Sequence, residues 1–201
     1  MYSFIFDIGG VLVSYDFKKV IGILSEKTKC EYKSIEGLFQ FDMLYRIETG
    51  RMSCDDFFRS HVRSAMPGIS YEEWVQVFID HYTVNPVGME LLKQLKGQGS
   101  KVYILSNLAE FHKIALEKKI PELFSICDKN FLSYELGFHK PEIEIYEQVY
   151  KDIGEKPEKC VFFDDVTDNV EGAEKAGMKG IHFSNGNIEA IRKRIKELEM
   201  G

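Results

Sequence analysis

Four continuous apolar runs constrain this chain more than any other feature: SFIFDI at 3–8, KVYILS at 101–106, CVFFDD at 160–165 and KGIHFS at 179–184. None alternates apolar with polar residues, so each reads as a strand buried on both faces. A weaker run lies near SICDKNFLS. Between the later runs stand segments with helical spacing. PEIEIYEQVYKDIG brings Tyr146, Val149, Tyr150 and Ile153 to one face, and NPVGMELLKQLKGQG does so with Val87, Leu91 and Leu95. This alternation predicts an α/β fold, a Rossmann-like parallel sheet with helices on both faces.

The pattern breaks between residue 16 and about residue 82. DFKKVIGILSEK, SCDDFFRSHVRSA and YEEWVQVFIDHY each repeat at i, i+3, i+4 and i+7, through Phe17 to Leu24, Phe58 to Ala65 and Trp74 to His81. No strand signal separates these helices. The expected organisation is a catalytic core from 1–15 and 86–201, with an all-helical cap inserted at 16–85. No internal repeat or low-complexity stretch is present.

The chain has 201 residues, enough for one α/β domain with such an insertion. Its net charge of -6 argues against a nucleic-acid surface, which needs basic stripes. The basic residues from Arg192 to Lys196 are interleaved with Ile188, Ile191, Ile195 and Leu198, as on the solvated side of an amphipathic helix. The four cysteines, Cys30, Cys54, Cys127 and Cys160, lie far apart in no metal-binding spacing, which fits a reducing compartment. The N-terminal apolar run is too short to be a signal or a membrane span. A cytoplasmic protein with no membrane partner is expected.

In an open parallel sheet, ligands bind beyond the carboxyl ends of the strands. There the first strand delivers Asp7, followed by Gly9 and Gly10, and the second delivers Ser106 and Asn107. The third delivers Asp164 and Asp165, followed by Asp168 and Asn169. Lys140 precedes Pro141, which suits the first position of a helix. Together these groups suit phosphoryl transfer. A carboxylate such as Asp7 can form an aspartyl phosphate, but it needs a hard cation between itself and the phosphate. The glycines would let backbone N–H groups approach phosphate oxygens.

FDIGGVL, ILSN, GFHKPE and FFDDVTDNVEGA, in this order, resemble the four motifs of the haloacid dehalogenase superfamily. The resemblance covers essentially the whole chain, with 16–85 matching a small helical cap. It is strongest to the group whose first motif reads FDLGNV, which includes α-glucose-1-phosphate phosphatases. The phosphatase domain of soluble epoxide hydrolases is more distantly similar. The resemblance implies a Mg²⁺-dependent phosphatase acting on a small phosphorylated metabolite, such as a sugar phosphate. It implies Asp7 as nucleophile and metal ligand, and the Gly9 carbonyl and Asp165 as further ligands. Asp164 and Asn169 are implied in outer or water-mediated positions. Ser106 and Lys140, with Asn107 adjacent and Gly10 in the loop, are implied to hold the phosphoryl group.

The departure is Gly9. Most phosphatases of the superfamily carry a second aspartate there, which protonates the leaving group; its loss removes acid–base help of ~10²–10⁴. Two other functions therefore stand beside the phosphatase. One is an L-2-haloacid dehalogenase, against which Asp164 and Asp165 argue; the other is a non-catalytic phosphate-binding or regulatory protein. Without an acid at position 9, anomeric, acyl and aryl phosphates are expected to be preferred over alkyl ones. Glu48 or His61 are alternative proton sources that the sequence cannot choose between. His61 and His81 read as packed histidines, and His139 as a neighbour able to tune Lys140. LYRIETGRMS, with Tyr45, Arg46, Glu48 and Arg51 around Gly50, reads as solvated loop charge within reach of a substrate.

Overall fold

The computed structural model describes residues 2–200. Its strands are β1 (Ser3–Phe6), β2 (Val13–Ser14), β3 (Thr83–Val84), β4 (Lys101–Ser106), β5 (Lys129–Leu132), β6 (Cys160–Asp164) and β7 (Lys179–His182). Five form one sheet in the order β5-β4-β1-β6-β7, and every pairing in it is parallel. The predicted fold class is therefore the observed one. Three of the four predicted strands end slightly earlier than their apolar runs, because the chain leaves the sheet where its polar residues begin.

Both faces of the sheet are covered, which is why the strands read as continuous apolar runs. Phe4, Phe6, Val102, Ile104, Val161 and Phe163 enter one buried cluster. Ile5, Tyr103, Leu105 and Phe162 enter the other, against Tyr146 and Val149 of the helix Ile143–Ile153. This is the period-2 alternation of a strand with an apolar partner on each side. Pro141 does not open that helix: Glu142 is its N-cap, and the Lys140–Pro141 peptide is cis in the turn before it.

β2 and β3 pair antiparallel, Val13 with Val84 and Ser14 with Thr83. This ribbon is too short to leave a periodic signal in the sequence. All regular structure between its strands is helical, from Phe17–Thr28 to Tyr71–His81. Phe41–Glu48 is one of these helices, so Tyr45, Arg46 and Glu48 belong to a helix and not to a loop. His61 packs on Phe57, and the His81 ring bonds the Val77 carbonyl at 2.7 Å, as expected of packed histidines.

The helical segment meets the sheet layers through aromatic rings. Trp74 and Phe78 pack on Phe111 of the helix Glu110–Lys119, with centroids 4.4 and 5.1 Å apart. Next to Phe111, His112 is buried against Phe78, and the Tyr82 hydroxyl bonds His112 Nδ1. Burial disfavours the charged ring and pushes its pKa down to about 3.

The helix Pro86–Gly97 is started by Asn85, whose side chain accepts from the Val87 N–H at 3.2 Å. It lies so close to the turn after β1 that a Cβ on Gly88 would stand 1.9 Å from the Val11 carbonyl oxygen. A Cβ on Gly97, in the same helix, would meet nothing within 4 Å.

Two stability predictions follow from these packings. Gly88→Ala should cost about 1–3 kcal/mol by overpacking, lowering Tm by several degrees. Gly97→Ala should raise stability by up to ~1 kcal/mol, the ordinary helical gain; equal effects at the two sites would refute the clash. For His112, the unfolded chain binds a proton below about pH 6.5 that the folded chain refuses until about pH 3. Stability must therefore fall as pH drops through that window. In urea unfolding at pH 7 and pH 5, wild type should lose about 2 kcal/mol more than His112→Phe. Equal losses would show that the ring is not held neutral.

Candidate active site

The register of the sheet places the chemistry. Phe6 stands opposite Ile104 on one side and Phe163 on the other. One step further Asp7 aligns with Leu105 and Asp164, with Ser106 next along β4, and the Asp7 N–H still bonds the Phe163 carbonyl at 2.9 Å. β1 lies between β4 and β6, so the chain crosses outward in both directions from this point. That is the switch-point crevice of an open parallel sheet.

Lys140 enters from the turn ahead of the helix Ile143–Ile153. Its buried ammonium lies 2.7 Å from Asp164 Oδ2 and 3.0 Å from Asp7 Oδ1, and donates to the Leu105 carbonyl at 3.2 Å. Asn107 holds the Lys140 peptide from both sides. Its Oδ1 accepts from the Lys140 N–H at 2.8 Å, and its Nδ2 donates to the Lys140 carbonyl at 3.0 Å. Asp164 is saturated: Asn169 Nδ2 donates to both its oxygens at 3.2 and 3.0 Å, and the Val166 N–H donates to Oδ1 at 2.8 Å. Tyr146 in turn fixes the Asn169 carbonyl at 2.7 Å.

Asp7 and Asp164 thus share one ammonium, with the Asp165 carboxylate close by. Burial pushes Asp7 up to about 7, with Lys140 opposing and Asp164 reinforcing the shift. Burial, and then Asp164, also raise Asp165. For Lys140, burial works against the charge, but Asp164 and Asp7 outweigh it and hold the ammonium above its ordinary pKa.

This surplus of negative charge is what a hard divalent cation would need. Asp7, Asp164 and Asp165 each offer an oxygen, all within 4.8 Å of one another. Asp7 Oδ1 is buried with no directed hydrogen bond among the described residues, and the Lys140 ammonium stands 3.0 Å from it. The donor set, all oxygen, fits Mg²⁺. Asp168, exposed in the first turn of the helix Thr167–Lys175, lies outside this cluster.

The two glycines after Asp7 differ. A Cβ on Gly10, at φ +67°, would fall 2.1 Å from Asp165 Oδ2, so this loop and that carboxylate can meet only at a glycine. A Cβ on Gly9 would meet nothing within 4 Å. Position 9 is open space beside Asp7.

Asp7, Gly9, Ser106 and Asn107 form one side of a cavity of about 140 Å³. Its other walls carry residues that the sequence did not single out for the site: Tyr15, Tyr82, His112, Leu108 and Leu116. Tyr15 and Tyr82 flank the β2–β3 ribbon, while Leu108 and His112 follow Asn107, which was the available clue. Glu48 also lines the cavity. Its Oε2 is 2.9 Å from His139 Nε2, and both side chains are largely buried. His61, the other proposed proton source, is not among the lining residues.

Comparison with known proteins extends this picture. The family model described as haloacid dehalogenase-like hydrolase matches residues 3–177. The D-ribitol-5-phosphate phosphatase of Bacteroides thetaiotaomicron is 28% identical over 92% of this chain and 92% of its own length. The sesquiterpene phosphatase astK of Aspergillus oryzae is 28% identical over 90% and 89%. Among solved structures, a B. thetaiotaomicron enzyme of the family, crystallised with magnesium and inorganic phosphate, superposes with a TM-score of 0.81. It is 26% identical over 92% of this chain and 96% of that one. With the four motifs converging on one crevice of the sheet, the chain belongs to the haloacid dehalogenase-like hydrolases.

Proposed function

We propose that this protein is a Mg²⁺-dependent phosphatase that releases phosphate from a small phosphorylated metabolite through an aspartyl phosphate on Asp7. The observation that carries the reading is the buried set of Asp7, Lys140 and Asp164 beside Asp165, opening onto a cavity. Its similarity to phosphatases over nearly its whole length supports the same reading.

Asp7 attacks phosphorus from the end of β1, and the leaving oxygen departs on the far side, into the cavity. Lys140 and Ser106 bind the phosphoryl oxygens, and backbone N–H groups of the glycine loop approach them. Asn107 keeps Lys140 in place. Mg²⁺ held by Asp7, the Gly9 carbonyl and Asp165, with Asp164 and Asn169 behind them, would supply the charge that lets an anionic nucleophile meet an anionic phosphate. Residues 16–85 act as the cap that closes the cavity, and the free cysteines suit a cytoplasmic setting.

The cavity also limits the leaving group. Its charged lining residues, Asp7 and Glu48, are both acidic. A second anionic group on the substrate would face repulsion there, whereas a neutral polyol or sugar would find hydroxyl partners in Tyr15 and Tyr82. A sugar or sugar-alcohol monophosphate is the substrate class this favours.

The test is phosphate release from a panel of sugar phosphates, acetyl phosphate and p-nitrophenyl phosphate. Turnover should require Mg²⁺, stop with a chelator, and fall by at least ~10³ in Asp7→Asn, the scale on which loss of a nucleophile acts. Turnover that survives the chelator, or survives loss of the Asp7 carboxylate, would overturn the reading.

A further inference from the structure

An alkyl leaving group departs as an alkoxide unless a proton reaches its oxygen, and Asp7 cannot be both nucleophile and acid. The groups around the cavity can be taken in turn. Tyr15 is pushed up to about 12 by burial and by Glu48, and burial also raises Tyr82 well above its ordinary value. Both hold their protons too tightly for efficient transfer near neutrality. His112 is kept neutral by burial and is hydrogen-bonded to the Tyr82 hydroxyl. Lys140 is committed to Asp7, Asp164 and the Leu105 carbonyl.

Glu48 remains, and its pairing settles where a mobile proton is stored. His139 Nδ1 lies 2.6 Å from the Lys140 carbonyl, which can only accept, so Nδ1 carries a hydrogen. Asn107 Nδ2 stands 3.0 Å from the same nitrogen and donates to the Lys140 carbonyl at 3.0 Å, so the closer 2.6 Å contact between Nδ1 and that carbonyl sets the tautomer. In a neutral ring, Nε2 would then present a lone pair to Glu48 Oε2, which is 2.9 Å away. Two acceptors repel at that distance unless a proton lies between them, so the pair takes one up at rest. The Glu48–His139 pair therefore holds one exchangeable proton, whichever partner it sits on. One end of the pair lines the same cavity as Asp7 and the open space at Gly9.

We propose that Glu48, positioned by His139, is the general acid and base of this site. The inference rests on the phosphatase reading. As Asp7 forms its bond to phosphorus and the P–O bond to the leaving group breaks, the shared proton passes from Glu48 to the departing oxygen, giving a neutral alcohol. Glu48 is left as a carboxylate beside the protonated Nδ1 ring. A water then attacks the phosphorus of the aspartyl phosphate and gives its proton to Glu48. Asp7 is released, phosphate leaves, and the pair regains the proton it lost. The open position 9 leaves room for the leaving group to reach Glu48. Alkyl phosphates then become substrates, contrary to the preference expected from Gly9 alone.

The test uses p-nitrophenyl, phenyl and benzyl phosphates, which are alike in shape but rise in their need for a proton. In Glu48→Gln, kcat/KM for benzyl phosphate should fall at least ~100-fold, while that for p-nitrophenyl phosphate stays within about threefold. p-Nitrophenol should appear as a burst of one equivalent, because hydrolysis of the aspartyl phosphate has lost its base. Glu48→Asp should recover part of the benzyl activity. His139→Asn should shift the benzyl-to-nitrophenyl ratio in the same direction. Equal losses on all three substrates without a burst would assign Glu48 a merely structural role and overturn the proposal. An unchanged ratio in His139→Asn would overturn the pairing. Wild-type silence on all three esters would instead refute the phosphatase reading, and this inference with it.

Discussion

The Lys140 ammonium is the interaction on which the rest of the site depends. Two buried carboxylates, Asp7 and Asp164, are held at the carboxyl edge of the sheet by one cation that is itself buried. Charges so placed each carry a desolvation penalty of several kcal/mol, recovered only when geometry and hydrogen bonds are good. The surroundings supply both. Asn107 clamps the lysine backbone, Asn169 and the Val166 N–H saturate Asp164, and Tyr146 holds Asn169. Asp7 alone keeps an oxygen without a hydrogen bond. The network fixes its other members and leaves a free oxygen on the carboxylate proposed as the nucleophile.

That network reaches well beyond the strand ends. Gly172 packs so closely on Pro141 that a Cβ there would stand 2.9 Å from it, which fixes the turn that delivers Lys140. Gly10 allows the first loop to meet the Asp165 carboxylate, and Gly88 allows a helix to press on that loop from behind. Three close approaches thus define the position of the reactive edge. Where backbone meets backbone, as at Gly88 against Val11, such packing is stiff, because interiors are close-packed.

What could be read in the sequence follows a physical division. β1, β4 and β6 were legible because a strand apolar on both faces must be a continuous run, and the edge strand β7 through the apolar residues around it. Asp7, Ser106, Asp164 and Asp165 were legible because they end those runs. Lys140 was found by motif, but its turn was misread, since Pro141 precedes the helix instead of starting it. The β2–β3 ribbon was invisible because two residues show no period. The helix Phe41–Glu48 was hidden because Phe41 is exposed and Gly50 suggested a loop. Glu48 and His139 are 91 positions apart, and Tyr82 and His112 are 30 apart. Such meetings depend on how the helices lie across the sheet, which no local pattern encodes.

The ribbon has one further consequence. It is where the chain passes into the helical segment and out of it, and Tyr15 and Tyr82 stand beside it. Glu48 lies at the far end of a helix, joined to the sheet side through His139, while Tyr45 bonds Glu142 and Gly50 abuts the Tyr134 carbonyl. A swing about the ribbon would leave the tyrosines nearly still and carry Glu48 away from Asp7. Under the proposed mechanism, admission and activation would then be one event, with the acid in place only while the door is shut.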